Sequence, residues 1–435
     1  MRLGGRVGAA IEVLQDIADR KRPAADALKD WGLSHRFAGS GDRAAIGNLV
    51  HDALRKKLST AHLMNDDEGR ALAFGTLWRQ WNVSLDQMRE AFADDKFAPE
   101  IPEQSLEAAA KRDFAFAKPH VEADIPDWCA DYFEENFDDE WIAEASALSE
   151  RAPLDMRVNT LKADRDKVQK QLAKFGAKPI AIARQGLRIA AGRGAARMPN
   201  VQSEPAFQKG WFEIQDEGSQ IVADLVFPQP GEQVLDYCAG GGGKTLALAA
   251  MMEGKGQIHA YDIDGRRLSA LIPRLKRSGA HNVQLVHPSE PEALEALKGQ
   301  MDLVFVDAPC TGTGTWRRRP DAKWRLKDKQ LAKRIEEQTE ILEKASEFVK
   351  PGGRLLYATC SFLKEEDEDR VAAFLSAHPE FTEQNAAESA IASGLLTDEG
   401  AAKVRAGCKT GTSVRLTPRT AATDGFFFSL MVRTG

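Results

Sequence analysis

Apolar positions in the first 118 residues recur with a helical period. "RVGAAIEVLQDIADRK" puts Val7, Ile11, Val13, Leu14 and Ile17 near one face, and "RAAIGNLVHDALRKKL" repeats the habit, so residues 1–118 are expected to form an all-helical module. Prolines interrupt the pattern around "KPHVEADIPDWCADYFEENF". The stretch "DMRVNTLKADRDKVQKQLAKFGAKPIAIARQGLRIA" then reads strand, helix, strand, strand, which predicts a small α+β insert within 119–210. From Trp211 to the end, short apolar runs alternate with helical segments: "EQVLDYC", "GQIHAYDID", "NVQLVHP", "DLVFVDAPC" and "GRLLYATCS". Such alternation predicts an α/β domain with a doubly wound, mostly parallel sheet over 211–435, whose ligands sit at the carboxyl ends of the strands.

Composition narrows the picture. With 43% hydrophobic residues in a chain of 435, several real cores are expected. No apolar run approaches a membrane span, and the N-terminus lacks the pattern of a cleaved signal, so a cytoplasmic protein with no membrane partner is expected. Five scattered cysteines form neither a disulfide framework nor a paired CxxC site, and the eight histidines show no metal-ligand spacing; reduced thiols and no metal are expected. The net charge of -6 leaves nucleic-acid binding to a local patch. Nothing demands a dimer, and a monomer is expected.

The first candidate for chemistry is "CAGGGGKT", residues 238–245. A phosphate-cradling P-loop needs Gly, four residues and then Gly-Lys-Ser/Thr; here Cys238 stands where the first Gly belongs. A P-loop-like NTPase, with Asp307 as its acidic partner, is therefore the rival reading. The other reading is a strand ending at Asp236, a glycine turn, a helix start, and then Asp262 ending the next strand 26 residues on. That layout suits a nucleoside cofactor held through its ribose hydroxyls. The second candidate is a pair of thiols, Cys310 and Cys360, each just past an apolar strand on the same edge of the predicted sheet. A buried Cys is usually inert, as expected for Cys129 and Cys408, but at ligand-facing strand ends covalent catalysis becomes the stronger reading. These residues by themselves do not say which thiol attacks.

"VLDYCAGGGGKT", "AYDID", "DAPCTGTGTWRRRPD", "ATCS" and the closing "DGFFFSLMV", together with "PLDMRVNTLK" and "EIQDEGSQ" upstream, resemble the Sun/RsmB-type RNA (cytosine-5) methyltransferases over roughly residues 120–435. The helical N-terminal segment resembles the NusB-like RNA-binding module of some members. The resemblance implies a Rossmann-like class I methyltransferase domain preceded by a ferredoxin-like α+β insert and the helical domain. It implies S-adenosylmethionine as methyl donor, Cys360 as the nucleophile on carbon 6 of cytosine, and Cys310 as the residue that helps release the product. Asp262 would then hold the ribose, and Cys238, Ala239, Gly240, Gly241, Gly242, Gly243 and Lys244 would pack on the amino-acid part of the cofactor. Asp307 would border that pocket and bridge to the cytosine ring nitrogen and amine, and Lys244 would point into the same site.

Two departures stand out. The third strand runs into "LVHPSEP", so the acid that family members carry for the adenine amine is absent at His287, Pro288 and Ser289, leaving Ser289, Glu290 or a backbone carbonyl to replace it. This departure motivates a third reading, a non-catalytic RNA-binding or ribosome assembly factor. The extra glycines of "AGGGGK" should make the cofactor loop more flexible.

RNA is expected along "RRRPDAKWRLKDK", residues 317–329, with seven basic and two acidic residues and Trp316 and Trp324 interleaved. Arg317, Arg318, Arg319, Lys323 and Arg325 are the candidate phosphate contacts, because the run directly follows Cys310. The target is expected to be structured RNA, most naturally small-subunit rRNA, single-stranded or locally opened, since carbon 6 of a stacked base cannot be attacked from above its plane. Arg157 and Asn159 are expected to contact RNA or to pin the insert to the catalytic domain. The acidic run "EEDED" at 365–369 suits a helix N-terminus and is assigned no function.

Overall fold

The computed structural model describes residues 1–408 and 411–434. They form two compact units, one of Met1–Ala152, Ala191–Met198 and Thr315–Asp328, the other of Pro153–Ala190, Pro199–Gly314 and Lys329–Gly435. This partition differs from the three consecutive segments read from the sequence.

In the first unit, helices Leu3–Arg20, Ala24–Ser34, Ser40–Arg55, Lys57–Met64, Gly69–Arg79, Leu85–Phe92 and Glu103–Ala109 follow one another, and shorter helices continue to Ala147. Val7, Val13 and Leu14 are buried, with Ile11 and Ile17 flanking them against a core that includes Ile46, Leu49, Phe74 and Leu77. The segment Thr315–Asp328 is built into this unit. Trp316 is buried and stacks on Phe133 with ring centroids 5.9 Å apart. The Trp324 indole N–H donates to the Leu54 carbonyl at 2.7 Å, and Lys323 Nζ donates to the Arg55 carbonyl at 3.0 Å and to Ser149 Oγ at 3.2 Å.

The basic run therefore does not offer all five of the phosphate contacts expected from the sequence. Lys323 is 1% exposed and Arg317 5% exposed. Burial pulls the Lys323 ammonium down to about 8. These two residues do not present their charge to phosphates. Arg319 and Arg325 lie on the surface, Arg325 paired with Asp321 at 3.0 Å, and Arg318 is half-buried.

The second unit holds two sheets. The smaller is antiparallel, in the order β2-β3-β1-β4, from β1 (Leu154–Val158), β2 (Lys178–Pro179), β3 (Gly186–Ile189) and β4 (Phe212–Ile214). The strand β4 pairs with β1, so the boundary expected at residue 210 separates a strand from its own sheet. The residues of "RVNT" tie this sheet to the larger domain. Asn159 Nδ2 donates to the carbonyls of Gly210 and Ser278, both at 2.8 Å, and Arg157 Nε donates to Gln215 Oε1 at 2.6 Å. Both side chains are buried, which removes the RNA-contact alternative for them.

The larger sheet comprises β5 (Gln233–Asp236), β6 (Gln257–Tyr261), β7 (Val283–Val286), β8 (Met301–Asp307), β9 (Val349–Thr359), β10 (Phe381–Gln384), β11 (Val414–Leu416) and β12 (Phe426–Arg433). Its order is β10-β12-β9-β8-β5-β6-β7, with β11 on β12. Strands β5 to β9 are mutually parallel, and β12 runs antiparallel to β9. Val234, Leu235, Leu303 to Val306 and Leu355 to Ala358 are buried on both faces, as a sheet covered by helices requires. The chain turns outward in opposite directions from β5 and β8, and the crevice this leaves at their carboxyl ends is where a doubly wound sheet takes its ligand.

Candidate active site

The glycine turn leaves β5 at Asp236 and becomes helix Gly243–Met251. Gly242 sits at the helix start with φ of 80°, and a Cβ there would lie 2.0 Å from Leu271 Cδ1, so only glycine fits. The loop is not loose, contrary to the expectation from its glycines. Gly242 N–H donates to the Ala239 carbonyl at 2.8 Å, Arg274 Nη1 donates to the Gly241 carbonyl at 2.5 Å, and Ala239 N–H donates to the Tyr261 carbonyl at 2.9 Å. Arg274 is itself held by Glu213, at 2.9 Å, so the small sheet braces the turn.

Asp262, 3% exposed, stands at the end of β6. Its Oδ2 accepts from the Gly240 N–H at 2.9 Å and its Oδ1 from the Asp264 N–H at 2.8 Å. Each carboxylate oxygen keeps a further lone pair for a ligand hydroxyl. Beside it lies a hollow lined by Ile263, Asp264, Gly265, Arg266, Ser269 and His287. Ile263 is 84% exposed there, an apolar side chain suited to a flat ring. The Ser289 hydroxyl is bonded to His287 Nδ1 at 2.6 Å. The residues present thus fit an adenosine-bearing cofactor: a glycine turn too close for side chains, an acid at ribose reach, and an apolar-edged hollow.

Lys244 Nζ donates to Asp307 Oδ2 at 2.5 Å. Burial alone would lower the lysine, but the Asp307 carboxylate outweighs it and the ammonium is held above its ordinary range. An ammonium already neutralised at this distance is not offered to a phosphate, which counts against the P-loop reading. Phe426 lies below it, its ring centre 5.4 Å from Nζ.

Next to this pair, past the ends of β8 and β9, the two thiols meet with Cys310 Sγ 3.4 Å from Cys360 Sγ. The hydrogen bond to Cys360, and then burial, push the Cys310 thiol well above its ordinary range. The two loops that carry the cysteines are sewn together. Gly314 N–H donates to the Cys360 carbonyl at 3.0 Å, and Phe362 N–H donates to Thr313 Oγ1 at 2.7 Å. Gly425 N–H donates to the Gly314 carbonyl at 2.8 Å, and a Cβ on Gly314 would come within 2.5 Å of the Gly425 carbonyl. "TGTG" and "DGFFF" are glycine-marked because two backbones touch here.

Sequence reasoning missed the group beneath the thiols. Glu366 and Asp367, read as part of an acidic helix-opening run without function, are both fully buried. Asp367 accepts from Thr359 Oγ1 at 2.5 Å and pairs with Arg415 at 2.7 Å. Glu366 accepts from residues that follow each cysteine. The available signal was adjacency: Thr311 and Ser361 each stand one position after a candidate thiol.

A sheet of this order, with a glycine turn after β5 and an acid ending β6, is the Rossmann-like class I methyltransferase fold. Residues 223–432 match the family described as 16S rRNA methyltransferase RsmB/F, and residues 125–194 match the RsmF/B-like ferredoxin-like domain. Both stretches thus match the RsmB/F methyltransferase family. The chain is 33% identical over 288 residues to the probable ribosomal RNA small subunit methyltransferase B of Synechocystis sp., a match covering 63% of each chain. It is 35% identical over 257 residues to ribosomal RNA small subunit methyltransferase B of Yersinia pseudotuberculosis, covering 59% of this chain and 58% of that one. The matched stretches thus span less than two thirds of the length of these relatives. Among solved structures, PH0851 superposes with a TM-score of 0.71 at 26% identity, covering 99% of this chain and 100% of that one. A methyltransferase homolog protein from Pyrococcus horikoshii superposes with a TM-score of 0.57 at 28% identity, covering 72% and 97%.

Proposed function

We propose that this chain transfers a methyl group from S-adenosylmethionine to carbon 5 of a cytosine in structured RNA, with small-subunit rRNA as its target, through a covalent bond between Cys360 and the base. The observation that carries this reading is the pair of sulfurs 3.4 Å apart, past the ends of adjacent parallel strands and beside the Lys244–Asp307 pair. One nucleophile suffices for ordinary alkylation; a second thiol in contact with the first has a use where a covalent adduct must be formed and then broken.

The cofactor, when bound, supplies an electrophilic methyl on a sulfonium sulfur. Asp262 holds its ribose, and the turn from Cys238 to Gly243 packs against its amino-acid part. Cytosine carbon 5 is a poor nucleophile until a thiolate adds to carbon 6. The new C–S bond turns the ring into an enamine, and carbon 5 can then accept the methyl. Release removes the carbon 5 proton, restores the ring double bond and frees the sulfur. The contact with Cys360 and burial push the Cys310 thiol up, and Cys360 is taken as the attacking sulfur from the family resemblance of "ATCS". Cys310 then serves the release stage. Asp307 accepts from the exocyclic amine, while Lys244 holds that carboxylate in place. The base enters from an opened strand whose phosphates are met by Arg318, Arg319 and Arg325, and the helical module selects the RNA. The protein acts as a single chain in the cytoplasm.

Cys360→Ala is expected to abolish methyl transfer to RNA, and Cys310→Ala to trap an RNA–protein adduct that survives denaturing electrophoresis. An active Cys360→Ala protein would overturn the assignment. Bisulfite sequencing of RNA from cells with and without the protein identifies the cytosine.

A further inference from the structure

Glu366 is fully buried, yet its carboxylate is saturated with donors, and all of them border the cysteines. Oε1 accepts from the Thr311 N–H at 2.8 Å and from Gln338 Nε2 at 3.0 Å. Oε2 accepts from Ser361 Oγ at 2.5 Å and from the Thr311 hydroxyl. Thr311 follows Cys310, and Ser361 follows Cys360. Gln338 also donates to the carbonyl of Pro309, at 3.0 Å, which precedes Cys310. The residue itself is fixed from behind, since the Tyr357 hydroxyl donates to its backbone carbonyl at 2.6 Å.

Hydroxyl bookkeeping gives the direction of these bonds. Ser361 Oγ accepts from the Leu363 N–H at 3.0 Å, which leaves its own hydrogen for Glu366. An acceptor that offers no hydrogen is thus what all four donors require, and a carboxylate is the side chain that provides it. Burying a charge without such partners is costly, so a carboxylate here signals a geometric purpose rather than packing.

We propose that Glu366 is the positioning residue that sets the separation of the two thiols, by tying the residue after each cysteine to one carboxylate. Its consequence, which rests on the reading of Cys360 and Cys310 given above, is selective. Attack by Cys360 needs one sulfur placed against the base, whereas release needs the second sulfur at a fixed distance from the first. Loss of the clamp therefore slows release more than attack. The direct tie between Gly314 and Cys360 remains in a Glu366 variant and keeps the loops folded.

The test uses the full chain with Glu366→Gln, which keeps shape and removes the pure acceptor, and Glu366→Asp, which keeps charge and shortens the reach. One arm needs neither RNA nor cofactor. Phenylarsine oxide condenses with two neighbouring thiols, forming two As–S bonds and releasing one water. The wild type is expected to take up one equivalent at this pair, Cys310→Ser to lose that uptake, and Glu366→Gln to bind at least tenfold more weakly. The second arm is methyl transfer: kcat is expected to fall at least tenfold in Glu366→Gln, with KM for RNA within twofold, and the adducted fraction of the protein to rise. Partial recovery of kcat is expected in Glu366→Asp. Glu366→Gln that binds the arsenical like wild type, or that loses kcat and cofactor affinity together without accumulating adduct, overturns the proposal. A wild type that binds the arsenical but methylates no RNA overturns the proposed function and leaves the clamp standing.

Discussion

At the residue scale, the unusual feature is how many carboxyls the second unit buries. Asp236 is fully buried at the end of β5, bonded by the Thr245 hydroxyl at 2.6 Å, and burial pushes its carboxyl up to about 7. The folded state therefore holds a proton that the unfolded chain gives up near pH 4. Between those values the native protein binds more protons than the unfolded chain, so stability falls as pH rises from about 4 to about 7 and levels off above. Asp236→Asn, which cannot ionise but still accepts from Thr245, is expected to be more stable than wild type. The gap in urea unfolding should widen from pH 5 to pH 8, reaching about 2–4 kcal/mol. A gap that is constant with pH would refute the titration.

At the scale of elements, the glycine turn is the part whose shape is most constrained. Gly242→Ala must take a left-handed backbone and displace Leu271, so a loss of about 2–4 kcal/mol in stability is expected together with loss of cofactor binding by calorimetry. Gly243→Ala, whose added carbon meets nothing closer than 3.8 Å, should change stability by less than about 1 kcal/mol. Equal effects of the two would show that the turn does not depend on its backbone conformation. These elements were largely legible in the chain. Short apolar runs marked β5 to β9, a 3.6-residue period marked the N-terminal helices, and the residues just past the strands marked the site. What the patterns hid were contacts made by carbonyls and guanidinium groups far apart in sequence, such as Arg274 on Gly241, which turn a run of glycines into a braced loop.

At the scale of the whole molecule, the compact units do not follow chain order. The segment Thr315–Asp328 leaves the Cys310 loop and is completed by the helical unit, where Trp324 packs on the core and Lys323 finds its acceptors. A chain beginning at residue 119 would strip Trp324 of the Leu54 carbonyl and of the helical core, and Lys323 of the Arg55 carbonyl, leaving it Ser149. Such a chain is expected to aggregate on size exclusion and to lose cooperative thermal unfolding, because the Trp324 ring and the apolar surface around it are left uncovered. A soluble, cooperatively folded chain from residue 119 would show that the segment folds without the helices.

The sequence by itself determined the order of helices and strands, the glycine turn at the end of β5, and the presence of thiols, Asp and Lys at strand ends. Those features depend on local period, backbone freedom and residue chemistry, all of which are written in neighbouring positions. Only the tertiary structure decided which charges are inside. Arg317 and Lys323 read as phosphate contacts, and Glu366 and Asp367 as a helix-opening acidic run, but each is buried in the folded chain, Lys323 and Glu366 with partners tens to hundreds of residues away. Burial is set by who arrives across the fold, and a one-dimensional pattern of charge carries no record of that.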